Sequence, residues 1–211
     1  VDERFNTYRR SVLLVNHISA LDEVPLATVT NLELVLSRLG RIMDTEKDTL
    51  ILFLTSHGIE GLFAVQFPGF PLNHLTPQRL ARILDRSGIK NRVVIISACH
   101  SGSFIPALSQ PTALVMTAAR ADRTSFGCSN ESEWTWFGDA LFNHALRQTT
   151  SLPRAFETAK GLIAGWEARD KFKPSEPQIF IGGAIGPVIE RLAALPPQAL
   201  HAPITPLQSA H

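Results

Sequence analysis

A histidine and a cysteine, two residue types that together support nucleophilic catalysis, each follow an apolar run typical of a buried strand. His57 comes shortly after residues 49–54, and Cys99 follows residues 92–97 with only Ala98 between. A thiolate can attack a carbonyl carbon, while an imidazole takes up a proton and returns it to the leaving amine. Gly58 leaves its backbone N–H open to a developing oxyanion, and the N–H of Cys99 can be the second donor. The pattern indicates covalent acyl transfer.

The segment between these two residues predicts that their strands are neighbours. It holds a helix at residues 76–88, which begins with a Thr-Pro pair suited to the N-cap and first helical positions. A helix between two strands is the crossover of a parallel βαβ unit, which can place its strands side by side. Functional groups collect at the carboxyl ends of parallel strands. We therefore expect His57 and Cys99 to face one cleft.

The rest of the chain continues this alternation of strands and helices, which is typical of a parallel sheet covered on both faces. Further strands are predicted at residues 11–15, 113–117 and 178–182, helices at 28–40, 136–147 and 152–169, and a small β excursion within 61–75. Four prolines after Val188 prevent a regular element there. We expect one domain over residues 1–190 and a Pro-rich C-terminal tail over residues 191–211.

Composition excludes several classes of protein. The chain has 211 residues, 45% hydrophobic and 18% charged, so it can bury a substantial core and is not disordered. A net charge of +1 without a basic stripe argues against a nucleic-acid partner. The longest apolar runs fall far short of the roughly 20 residues that span a bilayer. We expect a soluble fragment that makes no membrane contact, although upstream sequence could add an anchor or a regulatory segment.

Metal binding is the alternative chemistry that the histidines and cysteines suggest. The candidate zinc ligands are His57, His74, Cys99, His100 and Cys128. Structural zinc sites usually contain paired ligands two to four residues apart, and this spacing does not recur here. We therefore predict no metal and no cofactor. The favoured interpretation of Cys128 is a small, half-buried residue in a pocket loop, the alternatives being a second reactive thiol or a disulfide partner.

Three blocks resemble, in order and in strand context, the legumain-like cysteine peptidases of the caspase-like clan, and in particular a bacterial-type member. They are the His-Gly pair within residues 52–58, the Ala-Cys-x-Ser-Gly-Ser element within residues 95–104, and residues 117–139. The resemblance covers residues 10–185. It implies an α/β fold, a caspase-like three-layer α/β/α sandwich with a mostly parallel central sheet.

The resemblance also implies roles for individual residues. His57 would be the general base and acid, Cys99 the nucleophile and Gly58 an oxyanion donor. Ser125 and Asp139 match positions that in legumains contact the residue before the cut, typically Asn and sometimes Asp. A hydroxyl and a carboxylate suit this task because a carboxamide offers N–H donors that Asp can accept.

Two further residues, Thr124 and His100, are predicted to contact the substrate, and the same region departs from the family pattern. Legumains usually carry Glu at the positions of Ser97 and His100, so the acidic wall of the pocket is thinner here. The family's first strand, which carries a pocket arginine, should precede residues 11–15. Only residues 1–9 are available for it, so we expect that strand to lie outside this chain or to have been removed.

The leading prediction is a cysteine endopeptidase that uses a His57–Cys99 dyad to cut peptide or protein substrates after Asn or Asp. A transamidase or ligase would use the same acyl-enzyme but resolve it with an amine. A catalytically silent peptide-binding module is the alternative from another class, motivated by the departures at Ser97 and His100. The natural substrate, oligomeric state and compartment are left open.

Overall fold

The computed structural model describes Phe5, Thr7, residues 10–127 and residues 134–195. Within these residues the strands are β1 (Thr49–Thr55), β2 (Gly58–Ile59), β3 (Leu62–Phe63), β4 (Asn91–Ser97), β5 (Ala113–Thr117) and β6 (Gln178–Ile181). The α-helices are α1 (Val29–Ile42), α2 (Pro77–Arg86), α3 (Ile105–Leu108), α4 (Trp136–Gly138), α5 (Leu146–Gln148), α6 (Leu152–Arg169) and α7 (Gly186–Ala193). A π-helical segment, Asp139–Ala145, joins α4 to α5, and 3-10 turns occupy Ile18–Ala20 and Ser101–Phe104.

The helices α1 and α2 each begin after a threonine N-cap. The Thr28 hydroxyl accepts a hydrogen bond from the Asn31 N–H at 3.0 Å at the start of α1. Thr76 does the same for α2, with Pro77 in its first turn. Each hydroxyl satisfies one backbone donor that has no partner within its helix. None of the helices described has both the length and the apolar character needed to cross a bilayer.

The central sheet has the strand order β1-β4-β5-β6. The strands β1, β4 and β5 run parallel, and β6 runs antiparallel to β5. The crossover from β1 to β4 contains α2, so the predicted adjacency of these two strands is confirmed. The small β excursion predicted within residues 61–75 is present as β3 and two isolated bridges, but it begins earlier than predicted, because β3 pairs with β2 at Gly58–Ile59.

Two apolar cores lie on opposite faces of the sheet, because side chains alternate in direction along each strand. In β4, Val93 and Ile95 join the core formed with α4 to α7, whereas Val94 and Ile96 join the core formed with α1, α2 and α3. All four side chains are buried. The result is a three-layer α/β/α sandwich with a mostly parallel sheet, as the sequence predicts.

The prediction of a strand at residues 11–15 is wrong. The segment has no strand pairing, and Val12 and Leu13 are 55% and 64% exposed. Together with β1, the edge strand of the sheet among the described residues, it lines a cavity of about 1980 Å³. A strand needs a neighbour within backbone hydrogen-bonding distance, and β1 forms no ladder with this segment. The apolar pattern was therefore no guide to whether a partner strand was present.

The C-terminal helix α7 crosses the predicted domain boundary at residue 190. It runs to Ala193, and Val188 and Ile189 pack into the core beside α6. The first residues assigned to the tail thus belong to an ordered helix. The rest of the predicted tail, from residue 196 onward, lies outside the described residues.

Candidate active site

The pairing of β1 with β4 carries His57 and Cys99 to the same edge of the sheet. The register pairs Thr55 with Ser97, and the ladder continues with a hydrogen bond from the Ser56 N–H to the Ser97 carbonyl at 3.2 Å. His57 and Cys99 are each the second residue beyond that pair. His57 is exposed, and Cys99 is half-buried.

Gly58 packs directly against the backbone of Cys99. A Cβ atom added at Gly58 would lie 2.5 Å from the carbonyl oxygen of Cys99 and 3.2 Å from the Cβ of Ala98. Real Cβ atoms do not approach a backbone oxygen so closely, so a residue without a side chain is required here. The close approach joins the His57-Gly58 segment to the cysteine turn.

The chain turns sharply at His100, which adopts the left-handed conformation with φ 57° and ψ 16°. This conformation is uncommon for a residue other than glycine and needs support from its surroundings. The His100 N–H donates to the Arg123 carbonyl at 2.8 Å, and its Nδ1 lies 2.8 Å from the Ala121 carbonyl oxygen. The ring thus holds the segment after β5 against the cysteine turn. Its predicted contact with substrate stays a prediction.

Ser103 connects the cysteine turn to the hairpin that follows His57. Its hydroxyl donates to the His100 carbonyl at 2.7 Å and accepts from the Gly61 N–H at 3.0 Å. Ser103 is not among the site residues predicted from the sequence. Nothing in the local pattern signals the contact, because Gly61 is 42 residues away along the chain.

Ser125 lies against the sulfur of the candidate nucleophile. Its N–H is 3.3 Å and its Oγ 3.7 Å from the Sγ of Cys99, and the thiol can donate to the Ser125 carbonyl at 3.5 Å. The structure therefore brings this predicted pocket residue into contact with Cys99. Its neighbour Thr124 is exposed to solvent. The substrate-binding roles of both residues stay predictions.

Asp139 begins the π-helical segment, and its carboxylate contacts residues of the same segment. Oδ1 accepts from the Nδ2 of Asn143 at 2.8 Å, and Oδ2 lies 3.4 Å from the Nε2 of His144. The side chain is 36% exposed, so it remains accessible to a ligand. The predicted role in recognising the residue before the cut stays a prediction.

Ser97, where legumains usually have Glu, connects β4 to the start of α4. Its Oγ lies 2.6 Å from the Oγ1 of Thr135, which also accepts from the Gly138 N–H at 3.1 Å as the N-cap of α4. Ser97 is fully buried. The contact couples the strand that ends at the nucleophile to the helix that leads into Asp139.

An ion-pair cluster fixes the segment between β5 and Ser125. Arg120 forms a bidentate pair with Asp122 and also binds Glu176, while Arg123 lies 3.3 Å from Glu176. The Arg120 N–H donates to the Ser175 carbonyl at 2.9 Å. Hydrogen bonding from the Arg120 guanidinium lowers the pKa of Asp122 from 3.8 to about 2. The segment is thus anchored to the loop before β6.

Of the candidate zinc ligands, His74, Cys99 and His100 have other contacts, His57 is exposed, and Cys128 lies outside the described residues. The Nδ1 of His74 accepts from the Val65 N–H at 3.0 Å. Cys128 is not among the described residues. Across residues 10–127 and 134–195, no three His, Cys, Asp or Glu side chains are grouped so that they could hold a metal ion.

Comparison with known proteins relates the chain to one family and one fold. The peptidase C13 family matches residues 29–186, a span that includes His57, Cys99, Ser125 and Asp139. Among solved structures, 106 chains match. One of them, caspase-1 from Spodoptera frugiperda, is 17% identical with a TM-score of 0.52, over 74% of this chain and 69% of that chain. At this identity the likeness shows the fold alone. No curated protein matches the chain.

Proposed function

The chain belongs to the peptidase C13 family, the legumain family, and we propose that it is a cysteine endopeptidase with His57 and Cys99 as its catalytic dyad. The family and the caspase-like fold indicate a function of the cysteine-peptidase type. The observation that carries the proposal is the packing of Gly58 on the Cys99 carbonyl, with β1 and β4 in register beside it. This packing brings a thiol and an imidazole-bearing segment to one edge of the sheet.

In the proposed reaction, the Cys99 thiol loses its proton to His57, and the thiolate attacks the scissile carbonyl carbon. A C–S bond forms while the carbonyl electrons move onto oxygen. His57 then returns the proton to the amine nitrogen as the C–N bond breaks, which leaves a thioester on Cys99. In the second half, His57 deprotonates a water that attacks the thioester. The product acid leaves, and the proton returns to the sulfur.

The β2–β3 hairpin supports Gly58 as an oxyanion donor. The His57 carbonyl accepts from the Ala64 N–H at 2.9 Å, so the next opposed pair, Gly58 and Phe63, is a non-hydrogen-bonded pair of the antiparallel ladder. The N–H groups of such a pair point away from the partner strand. The Gly58 N–H is therefore directed away from β3 and can donate to a developing oxyanion together with the Cys99 N–H.

For the residue before the cut, we propose Asn or Asp, with Asp139 accepting from the substrate. The N–H groups of an Asn carboxamide suit a carboxylate acceptor. A substrate Asp offers no N–H donor to that carboxylate, so we expect Asn to be the better substrate residue.

The test is an electrophilic peptide probe with Asn before its reactive group, followed by mass spectrometry of the adduct. We expect labelling at Cys99 that is lost in His57→Ala and retained in Ser109→Ala, whose hydroxyl binds the Ile105 carbonyl remote from the dyad. Labelling by Asp probes alone would support the cysteine peptidase but restrict its specificity to Asp before the cut. If no probe labels the folded protein, and the wild type and Cys99→Ser bind peptide equally well, the chain would be a binding module.

A second assay separates hydrolysis from transfer. Peptide substrate is incubated with an added amine nucleophile, and the products are identified by mass. A hydrolase releases only the free acid, whereas a transamidase or ligase forms a new amide, since an amine then replaces water in attack on the thioester. We expect the free acid as the main product.

A further inference from the structure

We propose that Ser125 is a further catalytic residue, whose amide and hydroxyl donate to the sulfur of Cys99 and stabilise its thiolate. The inference rests on the proposed function, since it concerns the nucleophile of the dyad. It differs from the role that the family resemblance implies for Ser125, which is contact with the substrate side chain.

Both donor atoms of Ser125, the amide nitrogen and the hydroxyl oxygen, lie within hydrogen-bonding distance of the sulfur. The amide nitrogen is 3.3 Å and the hydroxyl oxygen 3.7 Å from Sγ, within the longer range that sulfur acceptors allow. The Ser125 carbonyl, at 3.5 Å, can accept from the thiol. One residue thus presents two donors and one acceptor to the nucleophile.

Ionisation of the thiol changes the balance of these three contacts. The neutral thiol can donate to the Ser125 carbonyl, and this contact favours the protonated form. When the proton leaves, that hydrogen bond is lost, but the two donors now face a full negative charge. Hydrogen bonds to charged groups are roughly twice as strong as those between neutral groups. The net effect of Ser125 is therefore to favour the thiolate, which is the attacking species.

The segment that carries Ser125 is held in place before any substrate binds. The backbone N–H of His100, next to Cys99, donates to the Arg123 carbonyl at 2.8 Å, and the His100 Nδ1 lies 2.8 Å from the Ala121 carbonyl oxygen. The Arg120 side chain pairs with Asp122 and Glu176 at the far end of the segment. The donors are thus pre-organised at the sulfur and need little rearrangement during the reaction.

Charged groups near the cysteine act on the thiol as well, and the test must separate them from Ser125. Among the described residues, those on the segments around Cys99 are His57, Glu60, His100, Arg120, Asp122, Arg123 and Asp139. Replacing Ser125 with Ala changes none of these charges and keeps the backbone N–H. Any change in the behaviour of the thiol then reports the hydroxyl.

The experiment measures alkylation of Cys99 by iodoacetamide as a function of pH, with the modified peptide quantified by mass spectrometry so that Cys128 is counted separately. Iodoacetamide has no side chain to recognise, so a residue that only contacts substrate would not alter its rate. The variants are Ser125→Ala, the hydroxyl-retaining Ser125→Thr, and Ser109→Ala as a remote serine control.

In Ser125→Ala we expect the midpoint of the pH–rate profile to rise by about one unit, so that alkylation well below the midpoint slows about tenfold. Ser125→Thr should restore most of the rate, and Ser109→Ala should match the wild type. Circular dichroism and thermal unfolding confirm that each variant is folded. An unchanged midpoint in folded Ser125→Ala, or the same upward shift in Ser125→Thr, would overturn the proposal.

The assay also distinguishes failure of this inference from failure of the proposed function. Alkylation needs only the thiol, whereas peptide cleavage needs the whole site. A shifted midpoint in a protein that no peptide probe labels would uphold the contact and refute the peptidase. Normal peptide cleavage with an unshifted midpoint would uphold the peptidase and refute the role of Ser125.

Discussion

The hydroxyl groups of Ser97 and Thr135 lie 2.6 Å apart between the last residue of β4 and the N-cap of α4. The contact is buried at Ser97, and it joins two segments that are 38 residues apart in the chain. β4 leads to Cys99, and α4 leads to Asp139. One hydrogen bond therefore couples the position of the candidate nucleophile to that of the candidate specificity residue.

A double-mutant cycle at this pair should show coupling. Thr135→Ala removes both the N-cap and the partner of Ser97, so we expect it to lower the free energy of unfolding by about 1–2 kcal/mol. Ser97→Ala removes the shared hydrogen bond alone. The two changes together should cost about 1 kcal/mol less than their sum, as measured by chemical denaturation.

The control cycle combines Ser97→Ala with Thr76→Ala, which removes the N-cap of α2. These residues share no hydrogen bond in the structure, so their effects should add to within about 0.5 kcal/mol. Equal, near-zero coupling in both cycles would contradict the role given to the Ser97–Thr135 contact.

Replacing Gly58 with Ala should abolish most of the peptidase activity. The added Cβ would lie 2.5 Å from the Cys99 carbonyl oxygen, so either the hairpin or the cysteine turn must move. A displacement of about 1 Å at a catalytic group can cost about a hundredfold in rate, and we expect a loss of at least that size in kcat/KM.

The matched control for this substitution is Gly165→Ala in α6, where an added Cβ meets no neighbouring atom within 4 Å. Activity should stay unchanged there, and stability should rise by about 0.5–1 kcal/mol because Ala favours a helix over Gly. Activity of Gly58→Ala within threefold of wild type would refute the requirement for close packing at Cys99.

Loss of the Ser103 hydroxyl should weaken both catalysis and the fold. Ser103→Ala leaves the Gly61 N–H without this acceptor and frees the His100 carbonyl from this donor. We expect about a tenfold loss in kcat/KM and a stability cost of about 1–2 kcal/mol. Ser109→Ala also deletes a serine-to-carbonyl hydrogen bond. This variant should lose stability but keep wild-type activity. Equal activity in the two variants would argue against a catalytic role for the hydrogen bonds of Ser103.

The pKa of Asp122 provides a test of the ion-pair cluster. Arg120 lowers this pKa to about 2 from the usual 3.8, so the pair stabilises the fold fully above about pH 4. That contribution is lost as the pH falls through about 2, where the carboxyl takes up its proton. In Arg120→Gln the pKa should return towards 3.8, as measured by NMR titration of the carboxyl carbon.

An internal control for this titration is Asp170, whose pKa is lowered by the neighbouring Arg169. It should titrate identically in wild type and in Arg120→Gln, because Arg169 is untouched. A pKa of Asp122 that stays near 2 in the variant would show that another group, and not Arg120, holds the carboxylate charged.

The amino-acid sequence by itself determined most of the strands and helices, and it identified the two strands that are followed by the candidate catalytic residues. Apolar runs predicted β1, β4, β5 and β6, and the Thr-Pro pair at residues 76–77 marked the start of α2. These signals are local, since a helix cap or an apolar run depends on residues within a few positions. The sequence also indicated that His57 and Cys99 follow adjacent parallel strands, which the sheet confirms.

Only the tertiary structure decided which groups meet. The apolar residues 11–15 form no strand although they line a cavity together with β1, and no local pattern reports whether a partner strand is present. Ser125 reaches the sulfur of Cys99 from 26 residues away, and Ser103 reaches the N–H of Gly61 from 42 residues away. Such contacts depend on how the strands are ordered and how the turns are docked. They arise from packing over long distances along the chain, so they become visible only when the chain has folded.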